Sequence, residues 1–542
     1  MGLRDYQQEC HDSIIEKWRT HASTLAVLAT GLGKTHIFAH VIKSQQPRRA
    51  LVLAHRAELI YQACDKIEKA TGLATEIEMA DRMASTNLFH RTPVVVATVQ
   101  TMKDRLHKFK PEEFGLVVID ETHHATSPIY RKIIAHFRQN PALKILGVTA
   151  TPDRADEEAL GQVFESVAFD YDILDGVQNG WLVDVTQQFI SVKGLDFSHM
   201  RTTAGDLNGA DLAKVMEAEK TIQGVCHPSL EVIHGLPPQS LSQVPVEQWG
   251  QVLGNYKPRR TIVFTASVVQ AEACCAILNR AKDGLADWIC GQTAKDIRAK
   301  TLERFASGET AVVCNCGVLT EGFDNPAVEV IIMARPTKSR SLYAQMVGRS
   351  TRTLSGVVDN LTEASARLAA IKASSKPYCR IIDFVGNSGR HKLMTAFDIL
   401  GGKHSEEIVE RAIRSAKAGG KPVMVCRRMS NEELKEKQEK LAAAERARRA
   451  IEARKAKLIA KARFETREVN PFHNQSHRPL HDPFNAWRGE RTLSEKQRRV
   501  LTRRGFNPDK FSYGAAQALI GRIAEKEGWG KPKPNHESPS HA

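Results

Sequence analysis

The sequence predicts an α/β chain: two tandem domains, each built on a parallel sheet, followed by a mainly helical, basic extension. Three observations lead there. Short apolar, β-branched runs alternate with helix-like stretches over residues 1–190 and again over 256–400, the pattern of strands covered on both faces. The 542 residues exceed what a single hydrophobic core organises. The net charge of +15 is lopsided: residues 1–400 hold 45 Lys/Arg against 44 Asp/Glu, whereas residues 401–542 hold 32 against 18. A nearly neutral body with a basic appendage points to a polyanionic partner.

Several function classes are set aside by composition. No apolar run approaches the ~18 residues of a membrane span, so no membrane partner is expected. The start, Met1-Gly2-Leu3-Arg4-Asp5-Tyr6-Gln7, is polar and lacks the apolar stretch of a signal peptide. Ten cysteines include no CxxC pair; Cys274-Cys275 and Cys314-Asn315-Cys316 lie in apolar surroundings. Neither a disulfide framework nor a zinc ribbon is expected, and the compartment reads as reducing and cytoplasmic.

In the first domain the strands are expected at Leu25–Leu28, Leu51–Ala54, Val94–Ala97, Leu116–Ile119 and Ile145–Val148. Ligands collect at the carboxyl ends of such strands. The first strand runs into Ala29-Thr30-Gly31-Leu32-Gly33-Lys34-Thr35. Small residues let this loop turn tightly with its N–H groups facing inward to phosphate oxygens. Lys34 can then reach the β/γ-phosphates and the Thr35 hydroxyl can ligate Mg²⁺, with the next helix adding its dipole. The pattern usually has glycine six residues before the lysine; here that place is Leu28.

The fourth strand delivers Asp120-Glu121-Thr122-His123. Beside a phosphate loop, Asp120 can hold Mg²⁺ and Glu121 can polarise the water that attacks a γ-phosphate. The fifth ends in Thr149-Ala150-Thr151-Pro152, two hydroxyls at a strand end.

Residues 191–255 carry Gly, Pro and Ser clusters such as Gly235-Leu236-Pro237-Pro238-Gln239-Ser240 and read as a linker or insertion with one or two helices. Alternation resumes at Thr261–Phe264, Ala311–Cys314, Val328–Met333 and Arg380–Phe384, the strands of the second domain. Within it, Gln345, Arg349 and Arg352 fall at i, i+4 and i+7. On a helix they share one face, from which two guanidiniums can reach across a cleft to a γ-phosphate.

Taken in order, these motifs resemble those of superfamily 2 helicases of the DEAD/DEAH-box (DExH) group, close in pattern to RadD-like helicases and restriction-enzyme helicase subunits. The resemblance covers about residues 1–400. It implies two RecA-like domains, ATP and Mg²⁺ as cofactors, and a helicase or translocase acting on DNA in replication, repair or recombination. It assigns catalysis to Lys34, Asp120, Glu121, Gln345, Arg349 and Arg352, with Mg²⁺ on Thr35 and Asp120. Nucleotide binding falls to Gln7 (adenine), Thr30, Gly31, Gly33, Lys34, Thr35, Gly322 and Asp324. Nucleic acid falls to Arg56, Thr98, Gln100, Thr265 and Thr320. RadD-like proteins carry zinc motifs that this chain lacks after Cys426, and no PD…(D/E)xK nuclease arrangement is present. An RNA helicase, the motor subunit of a restriction or defence complex with a separate partner protein, and an ATP-switched DNA-binding recruitment factor remain alternatives.

In the extension, 401–542, the run Asn431–Arg467 is rich in Glu, Lys, Arg, Ala and Leu and predicts a long basic helix. A Pro- and His-rich spacer, Pro471–Pro483, precedes two capped helices at Thr492–Arg504 and Ser512–Glu527. The arginines of Arg498–Arg504 suit phosphates or an acidic partner. Phe506, Phe511 and Trp529 are expected to form a small core rather than a stacking platform. His473, His477 and His481 recur every four residues among prolines, and no metal site is expected there.

Overall fold

The computed structural model describes residues 2–85, 91–122, 125–150, 160–161, 163–320, 322–388, 391–401, 404–419, 423–461 and 493–527. The chain divides into two compact units, 1–444 and 445–542.

The first sheet is built from β1 (Ser23–Leu28), β2 (Ala50–Ala54), β3 (Thr75–Glu78), β4 (Val94–Thr98), β5 (Leu116–Asp120), β6 (Lys144–Thr149) and β7 (Ser166–Tyr171). They lie in the order β3-β4-β2-β5-β6-β1-β7, all parallel. Parallel pairing forces crossovers, and the helices that supply them cover both faces. Of these, α1 (Asp5–Lys17), α2 (Lys34–Ser44) and α3 (Ala57–Thr71) lie on the face of Ala26, Val52, Val96 and Val118. Against the other face, Leu51, Val95, Val117 and Ile145 pack on Phe109, Phe114 and Phe137. A short α4 (Val99–Arg105) and α5 (Pro128–Phe137) complete that layer, and α6 (Ile173–Gln178) leads out of it.

The second sheet holds β8 (Asp184–Asp196), β11 (Thr261–Thr265), β12 (Ala286–Cys290), β13 (Val312–Cys316), β14 (Val330–Ala334), β15 (Tyr378–Asn387) and β16 (Val423–Met424). Their order is β12-β13-β11-β14-β15-β8-β16, parallel except for β16, which runs antiparallel to β8.

This topology corrects the expected boundaries. β8 pairs with β15 over its length, from Asp184 opposite Tyr378 onward, so residues 184–190 belong to the second sheet rather than the first. Its mixed sequence, Asp-Val-Thr-Gln-Gln-Phe-Ile, hides a strand that a run of apolar residues would reveal. Residues 191–255, expected as a linker or insertion with one or two helices, hold three α-helices. They form a hairpin of β9 (Thr202–Thr203) and β10 (Asp206–Leu207), then α7 (Gly209–Met216), α8 (Glu219–His234) and α9 (Trp249–Gly254). Val225, Leu230, Ile233 and Leu253 bury against the second sheet and α10 (Val268–Ala281).

α11 (Lys295–Ser307), α12 (Arg340–Val347), α13 (Ala364–Ala373), α14 (Ala396–Leu400) and α15 (Glu406–Gly419) follow. The long helix α16 (Val425–Lys461) begins six residues earlier than the expected Asn431, because Val425 and Met429 are buried in the core of the first unit. Ion pairs Glu433–Lys437 and Glu436–Lys440 line it at i, i+4.

The second unit, by itself, contains α17 (Glu495–Thr502) and α18 (Tyr513–Glu527). Leu501 and Ala516 are fully buried, and Phe506 meets Phe511 edge-on at 6.2 Å, the small core expected of the aromatics. Trp529, the spacer and its three histidines lie outside the described residues. All ten cysteines are free, and no group of metal-ligating side chains occurs among the described residues. No described helix is long and apolar enough to cross a membrane.

Candidate active site

The loop after β1 turns on two glycines in the left-handed region, Gly31 (φ +94°) and Gly33 (φ +78°). A Cβ on Gly33 would stand 2.6 Å from the Gln7 amide nitrogen, so glycine is required by conformation and by space. Leu28 stays in β1, fully buried, and the turn is completed without a glycine there. Lys34 opens α2; its Nζ lies 3.4 Å from the Leu28 carbonyl and 3.8 Å from Glu121 Oε1. Thr35 sits in the first turn, where N–H groups lack helical partners.

Glu121 follows β5 with φ +50°, a strained setting for a residue with a side chain. That turn carries its carboxyl toward Lys34 while its N–H donates to Asp120 Oδ1 at 3.0 Å. On the next strand the Thr149 hydroxyl is buried and has no hydrogen-bond partner among the described residues. His123 and Thr151 lie outside the described residues.

Gln7 locks α1 to the loop. Its Nε2 donates to the Leu32 carbonyl at 3.1 Å and its Oε1 accepts from the Arg4 N–H at 3.0 Å; the Tyr6 hydroxyl donates to the same Leu32 carbonyl.

The second sheet closes the cleft. Gly348 has an ordinary φ of −58°, yet a Cβ there would sit 2.4 Å from Thr30 Cβ. Close approach of the two domains, not backbone freedom, is what calls for this glycine. Arg352 lies over the loop, with its Cγ 3.0 Å from where a Gly31 Cβ would be.

The shared helix face expected for Gln345, Arg349 and Arg352 is corrected here. α12 ends at Val347, and only Gln345, buried, lies on it. The chain then turns so that Arg352 bridges Leu182 in a β-like contact, and the two arginines share only the Phe323 carbonyl, to which Arg349 donates at 2.7 Å and Arg352 at 3.3 Å. Arg349 is buried and donates to the carbonyls of Thr320 and Phe323. Arg352 pairs with Asp324 and faces the phosphate loop.

Of the residues expected to meet nucleic acid, Arg56 caps α3 and lines a 320 Å³ cavity between the domains with Gln62, Arg298 and Phe323. Gln100 is exposed, and Thr98 pairs its hydroxyl with that of Thr101 at 2.9 Å. Thr265 is turned inward, donating to the Asn315 carbonyl at 3.0 Å, and Thr320 is buried. Neither is exposed, and the Thr265 hydroxyl is taken up by the backbone at its strand end. Gln62 donates to the Gly322 carbonyl, and Lys66 lies 3.8 Å from Asp324.

Motif reading missed the clasp around Trp181. Arg4, just before α1, and Arg367 from α13 lie 4.7 and 3.9 Å from its ring centroid, and Arg4 pairs with Asp359 at 2.9 Å. A lone Trp beside Gly180 was the available signal.

The set suits a nucleoside triphosphate with Mg²⁺: a glycine cradle, an ammonium, two carboxylates, an unpaired buried hydroxyl and a guanidinium from the facing domain.

Residues 1–154 match the family described as the type III restriction enzyme res subunit, and residues 245–353 match the helicase conserved C-terminal domain. IRC3 of Saccharomyces cerevisiae, named as an ATP-dependent helicase, is 32% identical over 402 residues, covering 71% of this chain and 52% of that protein. Irc3 of Schizosaccharomyces pombe, named as a mitochondrial ATP-dependent helicase, is 31% identical, covering 67% of this chain and 57% of that protein. The XPB2 protein of Sulfurisphaera tokodaii, named as a DNA 3'-5' translocase, is 25% identical, covering 65% and 78%. The chain thus spans little more than half the length of the two yeast relatives.

Proposed function

The chain belongs to superfamily 2 of the helicases, with a first domain of the restriction res-subunit kind, and from that premise we propose that it is an ATP-driven motor on DNA. The observation that carries this is the meeting of Lys34, Glu121 and Arg352 in one cleft, sealed where Gly348 touches Thr30.

Lys34 would neutralise the β/γ-phosphates, and Thr35 and Asp120 would hold Mg²⁺, which when bound screens charge on the phosphate oxygens. Glu121 would orient the attacking water and accept its proton. Arg352 would counter the charge that develops on the γ-phosphoryl group, a role worth about 10³–10⁵ in rate in other enzymes of this kind. Arg349 then serves by holding the loop of Thr320 and Phe323. Closure and release of the cleft would move Arg56, Thr98, Gln100 and the Thr320 loop relative to one another along a strand.

DNA as the track is supported by the name of the translocase relative and by the basic extension. The test is displacement of a third strand from a triplex-bearing duplex, which reads movement without requiring unwinding. ATP-dependent displacement by the intact chain supports the motor; ATP turnover without displacement on DNA, but with RNA unwinding, would replace it with the RNA reading. The res-subunit match favours a second arrangement, a motor that works beside a separate nuclease or methylase.

A further inference from the structure

Lys376 stands in the short connection between α13 and β15, with 2% of its surface exposed. Its Nζ donates to the Pro326 carbonyl at 2.6 Å and to the Arg352 carbonyl at 2.7 Å. Both acceptors are backbone carbonyls, and among the described residues no carboxylate accepts from it. A buried ammonium held only by carbonyls is costly to desolvate, and an apolar side chain of similar size fills such a space at lower cost. Both acceptors belong to the segments that hold Asp324 and Arg352, which pair with each other over the phosphate loop.

We propose that Lys376 is a positioning residue: it ties the backbone at Pro326 to the backbone at Arg352, and so sets where the Arg352 guanidinium stands against Gly31. The inference rests on the ATPase reading above. Burial holds the amine down to about 8, with Cys379 and Glu329 pulling it back up and Arg352 pushing it further down. That is the mark of a cation kept in place against its solvation. It touches no part of the expected nucleotide and acts only through Arg352.

The test is a double-mutant cycle on the full chain. Lys376→Met is expected to lower kcat for ATP about 10-fold or more and to change KM less than about threefold, because the loss falls on the transition state. In an Arg352→Ala background the same substitution is expected to cost less than about twofold, since its route of action is already gone. Melting temperature is read in parallel. If Lys376→Met unfolds, Lys376→Gln, which keeps a donor for one carbonyl, runs the same cycle. A kcat loss of equal size in both backgrounds, or none in either, overturns the inference and leaves the ATPase reading standing. An Arg352→Ala chain as active as wild type removes both.

Discussion

Arg349 and Arg352 show how two identical side chains, three residues apart, divide into different tasks. Arg349 is spent on the Thr320 and Phe323 carbonyls, and Arg352 is aimed at the phosphate loop. Their alanine variants therefore part company. Arg349→Ala strands the buried Thr320 carbonyl, worth about 1–3 kcal/mol, and is expected to lower the melting temperature by a few degrees. Arg352→Ala is expected to leave melting nearly unchanged and to cut kcat about 1,000-fold with little change in KM. Equal melting losses would contradict the division. That Lys34 and Glu121 would stand close together was legible in the sequence, because phosphate chemistry brings such groups to the loops that follow neighbouring strands. The inward turn of Thr265 was not, because motif spacing does not say which backbone groups a side chain must satisfy.

At the scale of elements, Gly348 and Asp383 make separate demands. Gly348→Ala would place a methyl 2.4 Å from Thr30 Cβ. It is expected to hold the domains apart and reduce kcat at least about 10-fold while circular dichroism stays native. Asp383, on β15, is buried against the motif helix α12: the Tyr343 hydroxyl donates to it at 2.7 Å and Gln187 donates beside it. Burial pushes its carboxyl up to about 7, with those two donors opposing the rise. The folded state therefore holds a proton that the unfolded state has lost across the window between the ordinary carboxylate value and about 7. Its contribution to stability is full below that window and is lost as pH rises through about 7. Melting temperature of wild type minus that of Asp383→Asn is expected to fall between pH 5 and 8; a flat difference would contradict the assignment.

The elements that sequence reading missed have a common cause. β3, β7 and β12 lie at sheet edges and β8 lies one strand from an edge. Edge strands keep one side half-exposed and mix polar residues into the run, as in Thr75–Glu78 and Ser166–Tyr171. The nine apolar runs that were read correctly supply nine of the ten interior strands, where both faces are covered; the tenth is β8, whose outer neighbour is only the two-residue β16.

For the whole molecule, the charge asymmetry and the compact units coincide. Residues 445–542 carry 22 Lys/Arg against 11 Asp/Glu, and they form the second unit. Deleting them is expected to leave the ATPase cleft intact while weakening DNA binding and flattening its dependence on salt, since fewer counterions are released. An unchanged salt slope would assign the basic extension to a partner other than nucleic acid. A cut at residue 425 would instead remove the buried Met429 and damage the first unit.

The central claim, a nucleotide cleft that answers to DNA, is tested most directly by steady-state ATP hydrolysis. The intact chain is assayed alone and with single-stranded, duplex and forked DNA and with RNA, and Lys34→Ala serves as the blank. Turnover stimulated at least about 10-fold by one form of DNA and abolished in Lys34→Ala is the expected result. Stimulation by RNA alone, or turnover indifferent to every nucleic acid, would contradict it.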